Sequence, residues 1–235
     1  MKARIAEKQE VAEETLSVTY DLLGKEVSFK PGQHFFIHLI NPPYRDEKGS
    51  RRHFSIVNSP EEKGVMTITT RLRDSAFKRS LKEMPIGTEV EIGPIGGNFV
   101  MPDDSSRPLV FIAGGIGITP FMSMIQHVKE NALDYTITLL YANRNRQSAA
   151  YLIDLEQMAE EMPNFTLVAT MDHDPDWPGE TRMIDAQFIK EYVPEFAQCL
   201  YMIAGPPAMT EAIRKALTEI GIESRNVVIE RFIGY

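Results

Sequence analysis

The chain has 235 residues, a hydrophobic fraction of 43% and a single cysteine, Cys199. This length allows one large domain or two small ones, and it can bury a core without disulfides. The net charge of 25 − 33 = −8 argues against a general nucleic-acid binder, because neutralising phosphates requires a basic surface. A single thiol also excludes an iron–sulfur cluster or zinc module held by four cysteines of this chain.

The N-terminus, MKARIAEKQEVAEE, is charged throughout and lacks the apolar stretch of a signal peptide. No uninterrupted apolar run approaches the roughly 18 residues that a membrane span needs. We therefore expect a cytoplasmic location, with neither a membrane nor a nucleic acid as partner.

The first part of the chain consists of short apolar stretches broken by glycine, proline and charge. This spacing predicts a six-stranded antiparallel β-barrel and one short helix, Phe77–Met84. The predicted strands are Arg4–Val11, Thr15–Asp21, His34–Ile40, Arg52–Val57, Val65–Arg71 and Glu89–Ile92.

Beyond a polar linker, Met101–Pro108, predicted strands alternate with helices. Such alternation predicts an α/β domain with a doubly wound parallel five-stranded sheet. We place the two domains at 1–101 and 108–235. The predicted strands are Leu109–Ala113, Thr136–Tyr141, Phe165–Thr170, Cys199–Ala204 and Asn226–Ile229, and the helices are Pro120–Asn131, Ser148–Met162, Asp185–Val193 and Pro207–Ile220.

The first strand of the second domain runs into the glycine-rich segment Gly114–Pro120 and then into a helix. Glycines let a backbone approach a pyrophosphate closely, and the following helix start presents free N–H groups to the anion. The strand–turn–helix context favours a dinucleotide site over the alternative, a plain glycine-rich turn.

Two further loops end parallel strands at the edge where ligands of such sheets bind. One is the segment Gly205–Met209, for which the alternative interpretation is a rigid connector between a strand and a helix. The other carries Asn143, Arg144 and Arg146, where an NAD site usually has an acid and an NADP site often has arginine. The arginines favour NADPH over NADH, unless they are simply solvated.

Several motifs together resemble the ferredoxin–NADP reductase superfamily. Arg52-His53-Phe54-Ser55 is similar to its Arg-x-Tyr/Phe-Ser motif, and Pro31-Gly32-Gln33 to the turn before its flavin strand. The segments GPIGGNF, GGIGITP, GPPAM and the terminal ERFIGY follow in the same order as in that family. The resemblance runs from residue 30 to the last residue and implies a stand-alone two-domain form without a fused iron–sulfur domain.

The resemblance implies FAD in the first domain and NADP or NAD in the second, with the flavin between them. Arg52 would pair with a flavin phosphate, Phe54 would lie against the flavin ring, and Ser55 would hydrogen-bond the reactive ring nitrogen. FAD binding is assigned to Arg52, His53, Phe54, Ser55, Thr69, Arg71, Ser75, Ala76, Phe77, Lys78 and Tyr235. NAD(P) binding is assigned to Gly114, Gly115, Gly117, Thr119, Pro120, Asn143, Arg144, Gly205, Pro206 and Met209, and catalysis to Ser55, Glu230 and Phe232.

Two positions depart from the family pattern. The second phosphate loop reads Ser75-Ala76-Phe77-Lys78 instead of Gly-x-x-Ser, so which of these residues reaches the pyrophosphate stays open. Ala204 stands where many relatives have cysteine beside the nicotinamide. Hydride transfer needs no protein acid or base, so this loss should tune the rate without abolishing the reaction.

These features predict an FAD-dependent oxidoreductase that exchanges a hydride with NAD(P)H and passes electrons to a separate acceptor. A ferredoxin or another small electron carrier is the expected partner, docking on a basic patch of Arg45, Lys48, Arg51, Lys78 and Arg79. The alternatives are an electron-transfer subunit of a larger complex, an NAD(P)H:flavin reductase and a redox-sensing module.

We expect no metal site. Asp172, Asp174 and Asp176 alternate like the start of a calcium loop, but Trp177 replaces the glycine that the sharp turn needs. An acidic surface loop is the better interpretation.

Overall fold

The computed structural model describes residues 1–232, and the chain forms two compact units. The first unit contains Met1–Met101 together with Thr119–Glu130. The second contains Pro102–Ile118 and the chain from Asn131 onward.

The first unit is built on a six-stranded antiparallel sheet in the order β4-β3-β6-β1-β2-β5. The prediction for this half is therefore confirmed. Its elements are β1 (Lys2–Ala12), β2 (Thr15–Asp21), β3 (His34–Leu39), β4 (Arg51–Ser55), β5 (Val65–Arg71), α1 (Ala76–Glu83) and β6 (Glu89–Gly96).

Alternation along β3 shows why this sequence forms a sheet with one buried face. Phe35, Ile37 and Leu39 are 0% exposed, whereas His34 and His38 lie on the opposite face. The outer strands of the sheet curl toward each other, because Val57 N–H, just past β4, donates to the Thr67 carbonyl of β5 at 2.9 Å.

The turn before β3 depends on Gly32. Its φ of +91° lies in the left-handed region. A Cβ there would lie 2.2 Å from the Phe99 carbonyl oxygen and 2.3 Å from Met124 Cε. The close approach of these groups requires glycine, which accounts for the Pro31-Gly32-Gln33 motif in structural terms.

The second unit is built on a five-stranded parallel sheet in the order β11-β10-β7-β8-β9. This order, with the strand that leads into the glycine segment at its centre, confirms the predicted doubly wound α/β class. The elements of the α/β part are β7 (Leu109–Gly114), α2 (Thr119–Glu130), β8 (Ile137–Asn143), α3 (Leu152–Glu161), β9 (Phe165–Met171), α4 (Ala186–Tyr192), β10 (Leu200–Gly205), α5 (Pro207–Glu219) and β11 (Val227–Arg231).

Helix α3 begins later than the sequence pattern predicts. Asn145 caps a short 3-10 turn, Arg146–Ser148, through a reciprocal capping box. Tyr151 then adopts φ 62°, a left-handed conformation that an α-helix does not continue through. The helix therefore starts at Leu152 instead of Ser148.

The core of the second unit lies between the sheet and helices α4 and α5. Phe188, Ile213 and Leu217 project from these helices onto Ile112 and Tyr201 of the central strands, and all are at most 2% exposed. This packing fixes the position of β10 beside β7, and with it the two loops that end these strands.

Helix α2 packs within the first unit, although it directly follows the glycine segment. Ser123 Oγ donates to the Asn58 carbonyl at 2.8 Å, and His127 Nδ1 lies 2.9 Å from Glu61 Oε2. Across residues 1–232, no helix combines the length and apolarity that crossing a membrane requires.

Candidate functional site

Arg52 holds the β3–β4 loop and presents one unsatisfied nitrogen. Its Nη1 donates to the carbonyls of Lys48, Gly49 and Arg51 at 2.8, 3.1 and 2.7 Å. Its Nη2 is buried and has no hydrogen-bond partner among the described residues; the nearest carboxylate oxygen, Asp46 Oδ1, is 3.8 Å away. Such a guanidinium edge fits a phosphate oxygen, as the prediction for Arg52 requires.

Lys78 adds a second, deeply buried cation beside Arg52. The residue is only 7% exposed. Desolvation, followed by repulsion from Arg73 and Arg52, lowers the pKa of its ammonium to about 8. A buried ammonium whose charge is disfavoured by neighbouring cations is stabilised by an anion placed beside it. The cluster therefore fits a phosphate group and identifies Lys78 as the charged member of the Ser75–Lys78 segment.

The start of α1 is already capped by side chains. Ser75 Oγ accepts from Lys78 N–H at 3.2 Å, and Asp46 Oδ2 accepts from Ala76 N–H at 3.2 Å. A carboxylate of the β3–β4 loop thus occupies a donor that the sequence pattern assigns to a flavin phosphate. Beside Asp46 lies a cavity of about 360 Å³, which this loop forms together with Phe77.

Along β4 the flavin motif passes from the exposed Arg51 to the buried Phe54 and Ser55. Phe54 is 3% exposed and its ring lies 5.7 Å from that of Phe77, so it offers little surface for ring stacking. Ser55 is 8% exposed. His53 is exposed on the other face, with its ring 5.4 Å from His34. The roles of these residues toward the flavin remain predictions.

Thr69 and Arg71 lie on β5, next to β2. Thr69 is 3% exposed, and Arg71 Nη1 donates to the Glu13 carbonyl at 3.2 Å and to Thr15 Oγ1 at 3.0 Å. Arg71 therefore stabilises the β1–β2 turn. If it also contacts the flavin edge, as predicted, the same guanidinium must bind both the turn and the flavin.

In the second unit, the glycine segment packs against the end of β10 through bare backbone. A Cβ on Gly117 would lie 2.2 Å from the Ala204 carbonyl oxygen and 2.9 Å from Gly205 Cα. Gly205 has φ +158°, and a Cβ there would meet the backbone of Gly114 at 3.2 Å. The missing side chains bring two strand-ending loops together, and a cradle of this kind fits a pyrophosphate.

Gly114, Pro206 and Met209 complete this cradle. Gly114 leaves room for Met209 and Pro206, since its Cβ would lie 2.1 Å from Met209 Sδ and 3.2 Å from Pro206 Cδ. Gly115 opens the 3-10 turn Gly115–Ile118 with φ +53°. The buried Thr119 and Pro120 then form the first turn of α2.

The loop after β8 differs from its prediction in one respect. Arg144 is exposed, and no described side chain pairs with it. Arg146 is already paired with Asp174, whose carboxylate lies 2.9 Å from its Nε. Asp172 and Asp176 are exposed, as the prediction of an acidic surface loop requires, but Asp174 of the same loop is only 8% exposed. Asn143 is also buried, and neither atom of its amide has a hydrogen-bond partner within residues 1–232.

Glu230 and Phe232 lie next to the Gly205 loop. Glu230 pairs in parallel register with Ala204, and Phe232 N–H donates to the Gly205 carbonyl at 3.0 Å. Burial raises the pKa of Glu230 to about 7, and its Oε2 has no partner in the described part of the chain. Tyr235, the remaining predicted flavin contact, lies outside the described residues.

Sequence reasoning missed Asp46, Arg73 and Asp174. Each is a charged residue in a polar loop, where a single sequence offers no periodicity to read. The signal for Asp174 was its place just after β9, the strand next to β8, because both strands end at the ligand edge of the sheet.

Comparison with protein-family models matches both units. The family described as oxidoreductase FAD-binding domain matches residues 2–100, and the oxidoreductase NAD-binding domain matches residues 111–215. These matches agree with the cation cluster in the first unit and the glycine cradle in the second.

Among curated relatives, the chain is similar to one of the subunits of the Na(+)-translocating NADH-quinone reductase. It is 32% identical to the Klebsiella pneumoniae subsp. pneumoniae protein over 204 residues and 29% identical to the Idiomarina loihiensis protein over 204 residues. Both alignments cover 78% of this chain and 49% of the relative, so the chain spans about half the length of these relatives.

Solved structures share the fold over nearly the whole chain. The flavohem-like FAD/NAD binding domain of nitric oxide dioxygenase from Vibrio cholerae aligns with a TM-score of 0.86 at 17% identity, covering 98% of each chain. The cytochrome b5 reductase domain of Ulva prolifera nitrate reductase aligns with a TM-score of 0.84 at 20% identity, covering 97% of this chain and 96% of that one.

The two family matches, the motif order and the shared fold agree. The chain is an oxidoreductase that combines the FAD-binding and NAD-binding domain families, and it has the fold of the ferredoxin–NADP reductase superfamily.

Proposed function

We propose that this chain takes reducing equivalents from NAD(P)H onto bound FAD and delivers electrons to a separate acceptor. FAD supplies the relevant chemistry when bound, because a flavin accepts a hydride and releases electrons one or two at a time. The protein supplies binding, orientation and electrostatics.

The observation that carries the proposal is the presence of two unlike anion sites on one chain. Arg52 and Lys78 gather positive charge in the first unit. Gly117 and Gly205 open a backbone cradle at the ligand edge of the parallel sheet in the second. An FAD and a nicotinamide dinucleotide each carry a pyrophosphate, and each site matches one of them.

In this proposal, residues of the first unit bind and orient the flavin, and Glu230 keeps a proton near the nicotinamide. Arg52 Nη2 and the Lys78 ammonium would bind the flavin phosphate, and Ser55 would orient the ring by a hydrogen bond. Glu230, with a pKa near 7, would stay largely protonated below neutral pH and so would leave the site beside Gly205 uncharged for a nicotinamide amide.

Electron passage to a protein carrier requires a docking surface. Of the predicted basic patch, Arg45, Lys48, Arg51 and Arg79 are exposed, but Lys78 is not. The assignment of Lys78 to a surface patch is wrong because the residue is buried at the start of α1, within the cation cluster. The exposed cations support docking of a small acidic electron carrier such as a ferredoxin.

A second candidate is an electron-transfer subunit of a larger assembly. The relatives are named as subunits of an NADH-quinone reductase, and they are about twice as long as the region that matches. In that case the acceptor would be a neighbouring redox group in the assembly.

Turnover of the FAD-loaded chain with NADH or NADPH and ferricyanide tests the reductase function. Sustained ferricyanide reduction that requires added or bound FAD is expected. If FAD binds but neither nucleotide supports turnover, the proposal is wrong. Repeating the assay with a ferredoxin, a quinone and free flavin then separates the acceptors, and rapid turnover with a carrier would favour the first candidate over the second.

A further inference from the structure

The loops that follow β8 and β9 are joined by their backbones. Asp172 N–H donates to the Asn143 carbonyl at 3.2 Å, and His173 N–H donates to the Arg144 carbonyl at 2.7 Å. These bonds extend the parallel pairing beyond both strands and bring Asp174 beside Arg146.

Asp174 binds Arg146 from several directions. Its Oδ2 accepts from Arg146 Nε at 2.9 Å and from Arg146 N–H at 3.2 Å, and its Oδ1 lies 3.4 Å from Nη2. Asp176 N–H donates to the same carboxylate at 3.3 Å. The side chain of Asp174 is 7% exposed, so this pair is shielded from solvent on the carboxylate side.

This geometry removes Arg146 from the set of groups that would hold an extra phosphate. The guanidinium directs Nε and Nη2 toward the Asp174 carboxylate. Moving that carboxylate away would break its hydrogen bonds to Arg146 and to Asp176 N–H. A dianionic phosphate placed there would also lie close to the Asp174 charge, and like charges in a shielded site repel strongly. Arg144 stays exposed on this loop.

The buried amide of Asn143 favours a neutral hydroxyl. Both of its polar atoms lack hydrogen-bond partners among residues 1–232, and a buried amide without partners is costly. A ribose hydroxyl can donate to Oδ1 and accept from Nδ2. A phosphate oxygen only accepts, so it would leave Oδ1 unsatisfied.

The end of β8 is where dinucleotide sites of parallel sheets discriminate between a free ribose 2′-hydroxyl and its phosphate ester. We propose that Asp174 sets this discrimination in favour of NADH, by holding Arg146 away from the position of the 2′-phosphate. The proposal rests on the proposed function, and it replaces the preference for NADPH that the two arginines indicated in the sequence.

The test compares reduction of bound FAD by NADH and by NADPH in single-turnover experiments on the full chain. The wild type should favour NADH. Asp174→Asn releases Arg146 and should raise the NADPH efficiency relative to NADH by about tenfold, the effect of one charge-assisted hydrogen bond. The double variant Asp174→Asn with Arg146→Ala should lose that gain.

Asp172→Asn is the matched control, because it removes the same charge from the same loop and its carboxylate pairs with the exposed His173. It should leave the NADH to NADPH ratio within about twofold of the wild type, as expected for an exposed pair. A wild type that prefers NADPH, or an Asp174→Asn variant with an unchanged ratio, would overturn the proposal.

A binding measurement keeps the two proposals distinguishable. The wild-type chain should bind 5′-AMP at least as tightly as 2′,5′-ADP by calorimetry, without any variant or flavin reduction. Tighter binding of 2′,5′-ADP contradicts the role of Asp174. If 5′-AMP is favoured but neither NADH nor NADPH reduces the flavin, the proposed reductase function fails while the inference on selectivity stands.

Discussion

The two anion sites that we propose for this chain are built by opposite means. Around Arg52 and Lys78, the first unit gathers cationic side chains and holds them partly out of water. At Gly117 and Gly205, the second unit removes side chains so that backbone can approach a ligand. The first site depends on charge and the second on shape.

This contrast determines how each site responds to change. A charge-based site should respond to pH and salt, because its cations repel one another when no anion is bound. A backbone-based site should respond to added volume, because the two strand ends already touch. Substitutions in each site therefore test the two modes of binding separately.

The largest effect is expected from Gly117→Ala. The new Cβ would lie 2.2 Å from the Ala204 carbonyl oxygen, which is backbone and cannot rotate away. We expect a loss of about 3 kcal/mol in the free energy of unfolding, together with weakened NADH binding. Thermal and denaturant unfolding measure the first effect, and calorimetry the second.

Gly96→Ala is the control for that substitution, because a Cβ at Gly96 would meet nothing within 4 Å. It should leave stability within about 0.5 kcal/mol of the wild type. If Gly117→Ala is equally harmless, the close backbone contact does not exist in solution.

Glu230→Gln should change how stability depends on pH. Burial raises the pKa of Glu230 from 4.5 to about 7, so the folded chain keeps this proton to higher pH than the unfolded chain. The free energy of unfolding therefore falls as pH rises from about 4.5 to about 7. A glutamine removes that loss and should stabilise the protein at pH 8 by on the order of 2–3 kcal/mol relative to the wild type.

At pH 4 the Glu230→Gln variant and the wild type should be nearly equally stable, since the carboxyl is then neutral in both states. Denaturant unfolding across this pH range provides the comparison. Glu223→Gln, at a side chain that is 62% exposed, is the matched control and should show no such divergence. Parallel curves for Glu230→Gln and the wild type would contradict the raised pKa.

Lys78→Met should affect the flavin-free and FAD-loaded protein in opposite directions. Without flavin, the variant removes a buried cation that Arg73 and Arg52 repel, so it should be more stable than the wild type. Its affinity for FAD should fall by about tenfold, since a charge-assisted contact to phosphate is lost. Lys82→Met, on the exposed side of the same helix, should do neither. Unchanged FAD affinity in Lys78→Met would remove Lys78 from the site.

The smallest effect is expected from Asp46→Asn. Its carboxylate accepts from Ala76 N–H and lies 3.8 Å from Arg52 Nη2, so it competes with a phosphate for the same donors. Removing the charge should strengthen FAD binding by about two- to fivefold, the effect of one charge at a helix start. Glu47→Gln, one residue along the same exposed loop, should leave FAD affinity unchanged. Weaker FAD binding by Asp46→Asn would show that Asp46 supports the site.

The fold could be predicted from the sequence because it depends on regular local patterns. The alternation in β3 and the glycine segment after β7 are local signals, and both unit architectures followed from signals of this kind. The start of α3 was misjudged because the left-handed conformation of Tyr151 has no sequence signature.

The site was predicted less completely, because its charges meet through tertiary contacts. From the sequence, Arg146 is indistinguishable from a free surface cation. The pairing of β9 with β8 brings Asp174 beside it, and the two side chains form an ion pair. From the sequence, Lys78 is expected to be a surface lysine at a helix start. The structure shows that it is buried and so belongs to the cation cluster.

We propose that one chain binds FAD through charge, binds a nicotinamide dinucleotide through backbone, and lets them exchange electrons. Anaerobic mixing of the FAD-loaded chain with NADH in a stopped-flow instrument tests it most directly. The yellow absorbance should bleach at a rate that saturates with NADH concentration. A chain that retains no FAD, or one whose bound FAD keeps its colour with NADH and NADPH alike, would contradict it.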